Sequence, residues 1–173
     1  MRRASSPTGK RWNASISSSP LFIMVAESTL IFAPIVQLGC FTACAGASTC
    51  RLGICLARHA ATACAGALDA AGIARETLDA LPFHINGCCN ACGRHPVAAI
   101  GFHGLALRAH DRLVPAYGIT LGGRCDASGA RFGDAVGKVP AAALPAFLCA
   151  LAADFEAGRA PGESFAAYYD RRG

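Results

Sequence analysis

Two pairs of cysteines, each set in a run of small residues, constrain this chain more than any other feature. Cys44 and Cys50 are separated by five residues in C-A-G-A-S-T-C, and Cys88 and Cys92 by three in C-C-N-A-C. Small residues let a backbone approach a bulky inorganic group closely, so that its N–H groups can bond sulfur. Four thiolates are what a [4Fe–4S] cube requires, one for each iron. Structural zinc favours ligand pairs two to four residues apart, which the first pair exceeds. The spacing also differs from the compact bacterial ferredoxin run. Ten cysteines in 173 residues fall short of a disulfide scaffold, and the chain is long for a mini-protein. Metal sites, redox chemistry or buried thiols are what composition leaves open.

Charge excludes one class of partner. The formal net charge is +5, yet Arg2, Arg3, Lys10 and Arg11 all precede the first acid, Glu27. The remainder is near neutral and offers no basic face for nucleic acid. Residues 1–20 are rich in Ser, Arg and Lys and read as disordered. Residues 21–38 are mostly apolar, but Glu27, Ser28 and Thr29 interrupt them and Pro34 breaks their end. A spanning helix wants about 20 apolar residues with few charges, so no membrane span and no secretory signal is expected. Residues 1–38 are therefore expected to be a disordered or non-native leader, and residues 39–173 the folded domain.

The body reads as mixed α and β. The small residues of 40–50 predict a loop, and Leu52, Cys55, Leu56, His59, Ala63 and Leu68 predict a helix over 51–73. A helical turn over 75–80 and a strand over 81–85 follow, then a second Cys/Gly loop over 86–96. Residues 97–109 predict one or two strands broken at Gly101 or Gly104, and 114–121 another. Gly122-Gly123 and 126–129 read as turns. Pro140 suits the first position of an apolar helix over 141–156, and a short helix is expected over 164–171. The class is α+β, a mixed sheet with flanking helices. Cys40, Cys55, Cys64, Cys125 and Cys149 are expected to be buried thiols. His59, His84, His103 and His110 are expected to be structural or exposed, and Lys138 a solvated loop residue.

The run Cys44-Ala45-Gly46-Ala47-Ser48-Thr49-Cys50-Arg51-Leu52-Gly53-Ile54, followed by Gly87-Cys88-Cys89-Asn90-Ala91-Cys92-Gly93-Arg94-His95, resembles the cluster-binding half of the siroheme-dependent nitrite and sulfite reductases. That family binds one [4Fe–4S] cluster through a C-x5-C pair and a later C-x3-C pair. The resemblance extends through Ile100-Gly101-Phe102-His103-Gly104, Gly122-Gly123 and Gly137-Lys138-Val139-Pro140, and covers about residues 39–173. It implies that Cys44, Cys50, Cys88 and Cys92 ligate the cluster and that Cys92 bridges it to a siroheme iron. Asn90 and Arg94, beside the bridge, fall on the cofactor side, and His95 follows them.

The resemblance further implies a six-electron reduction of sulfite to sulfide or nitrite to ammonia. The electron donor would be a ferredoxin or a flavoprotein, and the setting cytoplasmic, where clusters and thiols persist. Two departures stand out. Cys89 occupies the place where the family usually has Pro. The family's haem pocket, with the Arg and Lys that hold the substrate anion, lies upstream, and residues 1–38 contain nothing like it. The chain is therefore expected to be a fragment with little activity alone, completed by the missing haem-pocket half or a separate subunit. An alternative of another class is a non-catalytic iron–sulfur electron-transfer module. A third is a secreted or tethered domain whose cysteines pair as disulfides.

Overall fold

The computed structural model describes residues 41–109, 111–127 and 129–172. Residues 1–38 with their leader reading, Cys40 and His110 lie outside the described residues. A five-stranded mixed sheet runs in the order β1 (Phe41–Ala43), β2 (Phe83–Asn86), β3 (Ile100–Ala109), β4 (Arg112–Leu121) and β7 (Asp134–Pro140). β1, β2 and β3 are parallel, while β4 pairs antiparallel with both β3 and β7. Between β4 and β7 lies a two-stranded ribbon of β5 (Arg124–Asp126) and β6 (Gly129–Arg131). The helices are α1 (Ala57–Ala70), α2 (Arg75–Asp79), α3 (Leu144–Gly158) and α4 (Phe165–Arg172). The α+β expectation, a mixed sheet with flanking helices, is borne out.

Side chains alternate across a strand, so each strand shows one face to the helices. Phe83 and Ile85, Ile100 and Phe102, and Tyr117, Ile119 and Leu121 form the sheet's half of the core. Leu68 of α1, Leu144, Leu148, Leu151 and Phe155 of α3, and Phe165, Tyr168 and Tyr169 of α4 form the other half. Phe155 joins α3 to α4 through edge-on contacts with Phe165 and Tyr168, at ring centroid distances of 5.5 and 5.1 Å. The opposite sheet face carries His84, His103 and Thr120, partly covered by a 3-10 turn over His95–Val97.

Ala141–Gly158 is long and apolar enough to span a bilayer, with a mean hydropathy of 1.4. Here it is a core helix with its apolar face buried. Its Asp154 takes an ion pair from Arg172 at 2.7 Å. Glu156 accepts bonds from the Ala74 N–H at 3.2 Å and the buried Thr77 hydroxyl at 3.1 Å.

Several sequence expectations are corrected. The first loop begins later than residue 40, because Phe41–Ala43 is a strand pairing with Phe83–Ile85. The first helix starts at Ala57 rather than at 51, because the Ile54 and Cys55 N–H groups are donated to the Gly87 carbonyl at 2.8 and 2.9 Å. Leu52, Ile54 and Leu56 are exposed as a result. β3 is continuous through Gly101 and Gly104: a Cβ at either would collide with a carbonyl, that of His95 or of Gly87. These glycines admit a neighbouring backbone; they do not break the strand. Lys138 lies within β7 opposite Gly118, so it is not a loop residue. Pro140 closes β7, a 3-10 turn intervenes, and α3 starts at Leu144 with Pro145 in its first turn. Cys55 and Cys64 are buried and Cys149 is partly buried, but Cys125, on the exposed ribbon, is a surface thiol.

Candidate metal centre

Both cysteine pairs lie on crossovers between adjacent parallel strands. The segment joining β1 to β2 carries Cys44 and Cys50 before α1, and the segment joining β2 to β3 carries Cys88 and Cys92. The second crossover, residues 87–99, contains no α-helix. It sits near the dozen or so residues that parallel pairing requires as a minimum. Both loops leave their strands at the carboxyl ends, where open sheets place ligands.

The loops interlock backbone to backbone. The Cys44 N–H donates to the Ile85 carbonyl at 3.1 Å, which continues the β1–β2 pairing into the first loop. A 3-10 turn over Gly46–Ser48 follows, closed by the Cys50 N–H bonding the Gly46 carbonyl at 3.0 Å. The crossing itself is glycine on glycine. A Cβ on Gly87 would stand 2.6 Å from the Cys55 oxygen and 2.7 Å from the Gly46 Cα. Across this contact the Gly87 N–H donates to Cys44 Sγ at 3.1 Å. That is the bond a backbone amide makes to a metal-bound thiolate sulfur.

Cys88 is buried, Cys44 is half-buried, and Cys50 and Cys92 are exposed. Cys89, in the place of the family's proline, is exposed too. Asn90 is exposed at the tip of the second loop. Arg94 is exposed and lines an open cleft of about 330 Å³ with His84, Val97, Arg124 and Phe165. Among the described residues no three His, Cys, Asp or Glu side chains are grouped to hold a metal ion. Tetrahedral zinc gathers its sulfurs about 2.3 Å from one centre. A cube gives each thiolate its own iron, so its four sulfurs stand further apart. The glycine crossing and the amide-to-sulfur bond fit such a group in the donor set they offer.

Behind the second loop lies a histidine cluster. His95 is 5% exposed, so it does not share the surface with Arg94. Its ring packs on His103 with centroids 4.9 Å apart. Burial holds His95 down to about 4, reinforced by His103 and His84. Burial also lowers His103, with Lys138 adding to it, and its buried Nδ1 has no hydrogen-bond partner among the described residues. Asn86, 1% exposed, bonds both the loop and His95. Nothing in the cysteine spacing marks Asn86; only its place one residue before Gly87 hints at a role.

No family model matches the sequence, and no curated protein matches it. Among solved structures, the Mycobacterium tuberculosis NirA protein is similar to this chain, with a TM-score of 0.67 and 28% sequence identity. The match covers 76% of this chain and 25% of that one, so the chain spans about a quarter of its neighbour's length. The fold is nitrite/sulfite reductase-like.

Proposed function

We propose that Cys44, Cys50, Cys88 and Cys92 hold a [4Fe–4S] cluster, that Cys92 bridges it to a siroheme, and that the chain is the cluster half of a nitrite/sulfite reductase-type oxidoreductase. One observation carries this reading: the Gly87 N–H donated to Cys44 Sγ at 3.1 Å, where two cysteine loops meet. The reductase-like fold supports it. When bound, the two groups supply one-electron chemistry, with potentials set by hydrogen bonds to sulfur and by exposure.

The chain's own contribution is placement. Gly87 offers its N–H to the first ligand, the carboxyl ends of β1 and β2 orient the two loops, and burial of Cys88 keeps water from that sulfur. The exposed Cys92 thiol is free to face outward to a second group, with Asn90 and Arg94 beside it. Sulfite or nitrite is the proposed substrate, and a ferredoxin or flavoprotein the proposed donor. A haem-pocket half completes the site, and a reducing compartment such as the cytoplasm keeps the thiols free.

Anaerobic reconstitution of the full chain with ferrous iron and sulfide tests this. Four iron and four sulfide per chain, with a broad visible absorption that bleaches on reduction, are expected. Cys44→Ser, Cys50→Ser, Cys88→Ser and Cys92→Ser should each cut incorporation, while Cys125→Ser should not. Sharp new visible bands on adding siroheme support the bridge; a cluster with no siroheme binding leaves an electron-transfer module. Disulfides between the four cysteines in the isolated chain would overturn the cluster.

A further inference from the structure

We infer that Asn86 is a positioning residue that clamps the Cys88–Cys92 loop shut and fixes the His95 tautomer beneath it. The loop needs such a restraint. Ala91 and Arg94 both hold φ at +58°, the left-handed region that side chains with a Cβ adopt at a cost. These two residues bracket Cys92 and Gly93. An unrestrained loop would relax, and the direction of the Cys92 thiol would relax with it.

Gly93 is gripped on both sides. Its N–H donates to Asn86 Oδ1 at 2.9 Å, and its carbonyl accepts from His84 Nδ1 at 2.6 Å. A Cβ on Gly93 would collide with the Asn86 amide oxygen, so the fit leaves no slack. The chemistry of the donors then fixes every proton in the chain. A backbone N–H can only donate, so the Asn86 oxygen must face Gly93 and its NH2 must face His95. Asn86 Nδ2 lies 2.8 Å from His95 Nδ1. His95 Nδ1 is therefore bare and its proton sits on Nε2. His84 faces a carbonyl, so its own proton sits on Nδ1. Asn86 thus ties the end of β2 to the residue after Cys92 and to the buried ring of the following turn.

For the clamp this argument stands alone; its consequence for a cluster rests on the proposed function. The test uses the full chain, isotope-labelled and metal-free, and then reconstituted. In the wild type, nitrogen shifts of His95 should show a bare Nδ1 and a protonated Nε2; the opposite tautomer overturns the chain of bonds without any variant. Exchange of the Gly93 amide should be slow in the wild type and about tenfold faster in Asn86→Leu, the loss of one buried hydrogen bond. Asn86→Asp keeps an oxygen on Gly93, so it should restore that protection while moving the His95 titration to higher pH. In reconstituted protein, iron loss to a chelator should quicken in Asn86→Leu and stay near wild type in Asn86→Asp. Unchanged Gly93 exchange in a folded Asn86→Leu overturns the clamp, as does an equal loss of protection in a folded Asn86→Asp. A wild type that takes up no iron removes the cluster reading alone, and the amide exchange still decides the clamp.

Discussion

Gly87→Ala should damage this protein far more than the same change elsewhere. The added Cβ would stand 2.6 Å from the Cys55 carbonyl oxygen and 2.7 Å from the Gly46 Cα. Both obstacles are backbone, so neither can rotate away. One of the two crossovers must retreat, and with it the bonds the Gly87 carbonyl accepts from Ile54 and Cys55. Overpacking costs about 1–3 kcal/mol, and rigid obstacles put this site at about 3 kcal/mol or above. For a domain of this size that lowers Tm by roughly 10 °C. Gly66→Ala is the matched control: it lies in α1 with nothing within 4 Å of the added Cβ. Alanine in place of an exposed helical glycine should stabilise by about 0.5–1 kcal/mol. Urea unfolding followed by circular dichroism measures both. Two shifts of the same sign, or a Gly87→Ala protein as stable as the wild type, would refute the reasoning.

Three further outcomes are expected. His95 binds a proton more weakly folded than unfolded, so the unfolded chain takes up protons first as pH falls from about 6.5 toward 4. Stability should be full above that window and fall by about 2–3 kcal/mol through it, a slope that His95→Asn should flatten in urea titrations against pH. Phe155→Ala removes a ring with no exposure that holds α3 to α4, and should cost about 3–5 kcal/mol in thermal unfolding. Cys64 has no exposure and burial pushes its thiol up to about 12, with Cys149 adding to it, whereas Cys125 is exposed. Iodoacetamide labelling read by mass spectrometry should therefore modify Cys125 quickly and leave Cys64 intact until the chain unfolds.

What the sequence made legible was local. Leu148, Leu151 and Phe155 repeat on one helical face, and α3 forms where they do. The alternation from Tyr117 to Leu121 likewise marks β4. What it hid depends on partners distant in the chain. Leu52 and Leu56 carry helical spacing, but the intervening amides are taken by Gly87, so no helix starts there. Gly101 and Gly104 look like breaks because a sequence does not display the carbonyls lying against them. β1, three residues long, has too little pattern to stand out from the loop it feeds. For the site, both cysteine pairs were visible and the structure brings their loops into contact, whereas Asn86 and the bare nitrogen of His95 emerge only once β2 and the 95–97 turn are packed.

The close seat of Gly104 behind the Gly87 carbonyl has a consequence for the order of events during synthesis. All four cysteines of the two pairs have been translated by residue 92, yet the strand that backs their crossing begins only at Ile100 and pairs with β2 on one side and β4 on the other. The parallel β2–β3 pairing across that crossover forms later than a hairpin, because the intervening chain must first be closed into a loop. A nascent chain halted before β3 thus carries all four of these thiols without the strand that lies behind their crossing. Until the sheet is complete, thiols emerging from the ribosome depend on the reducing strength of their surroundings.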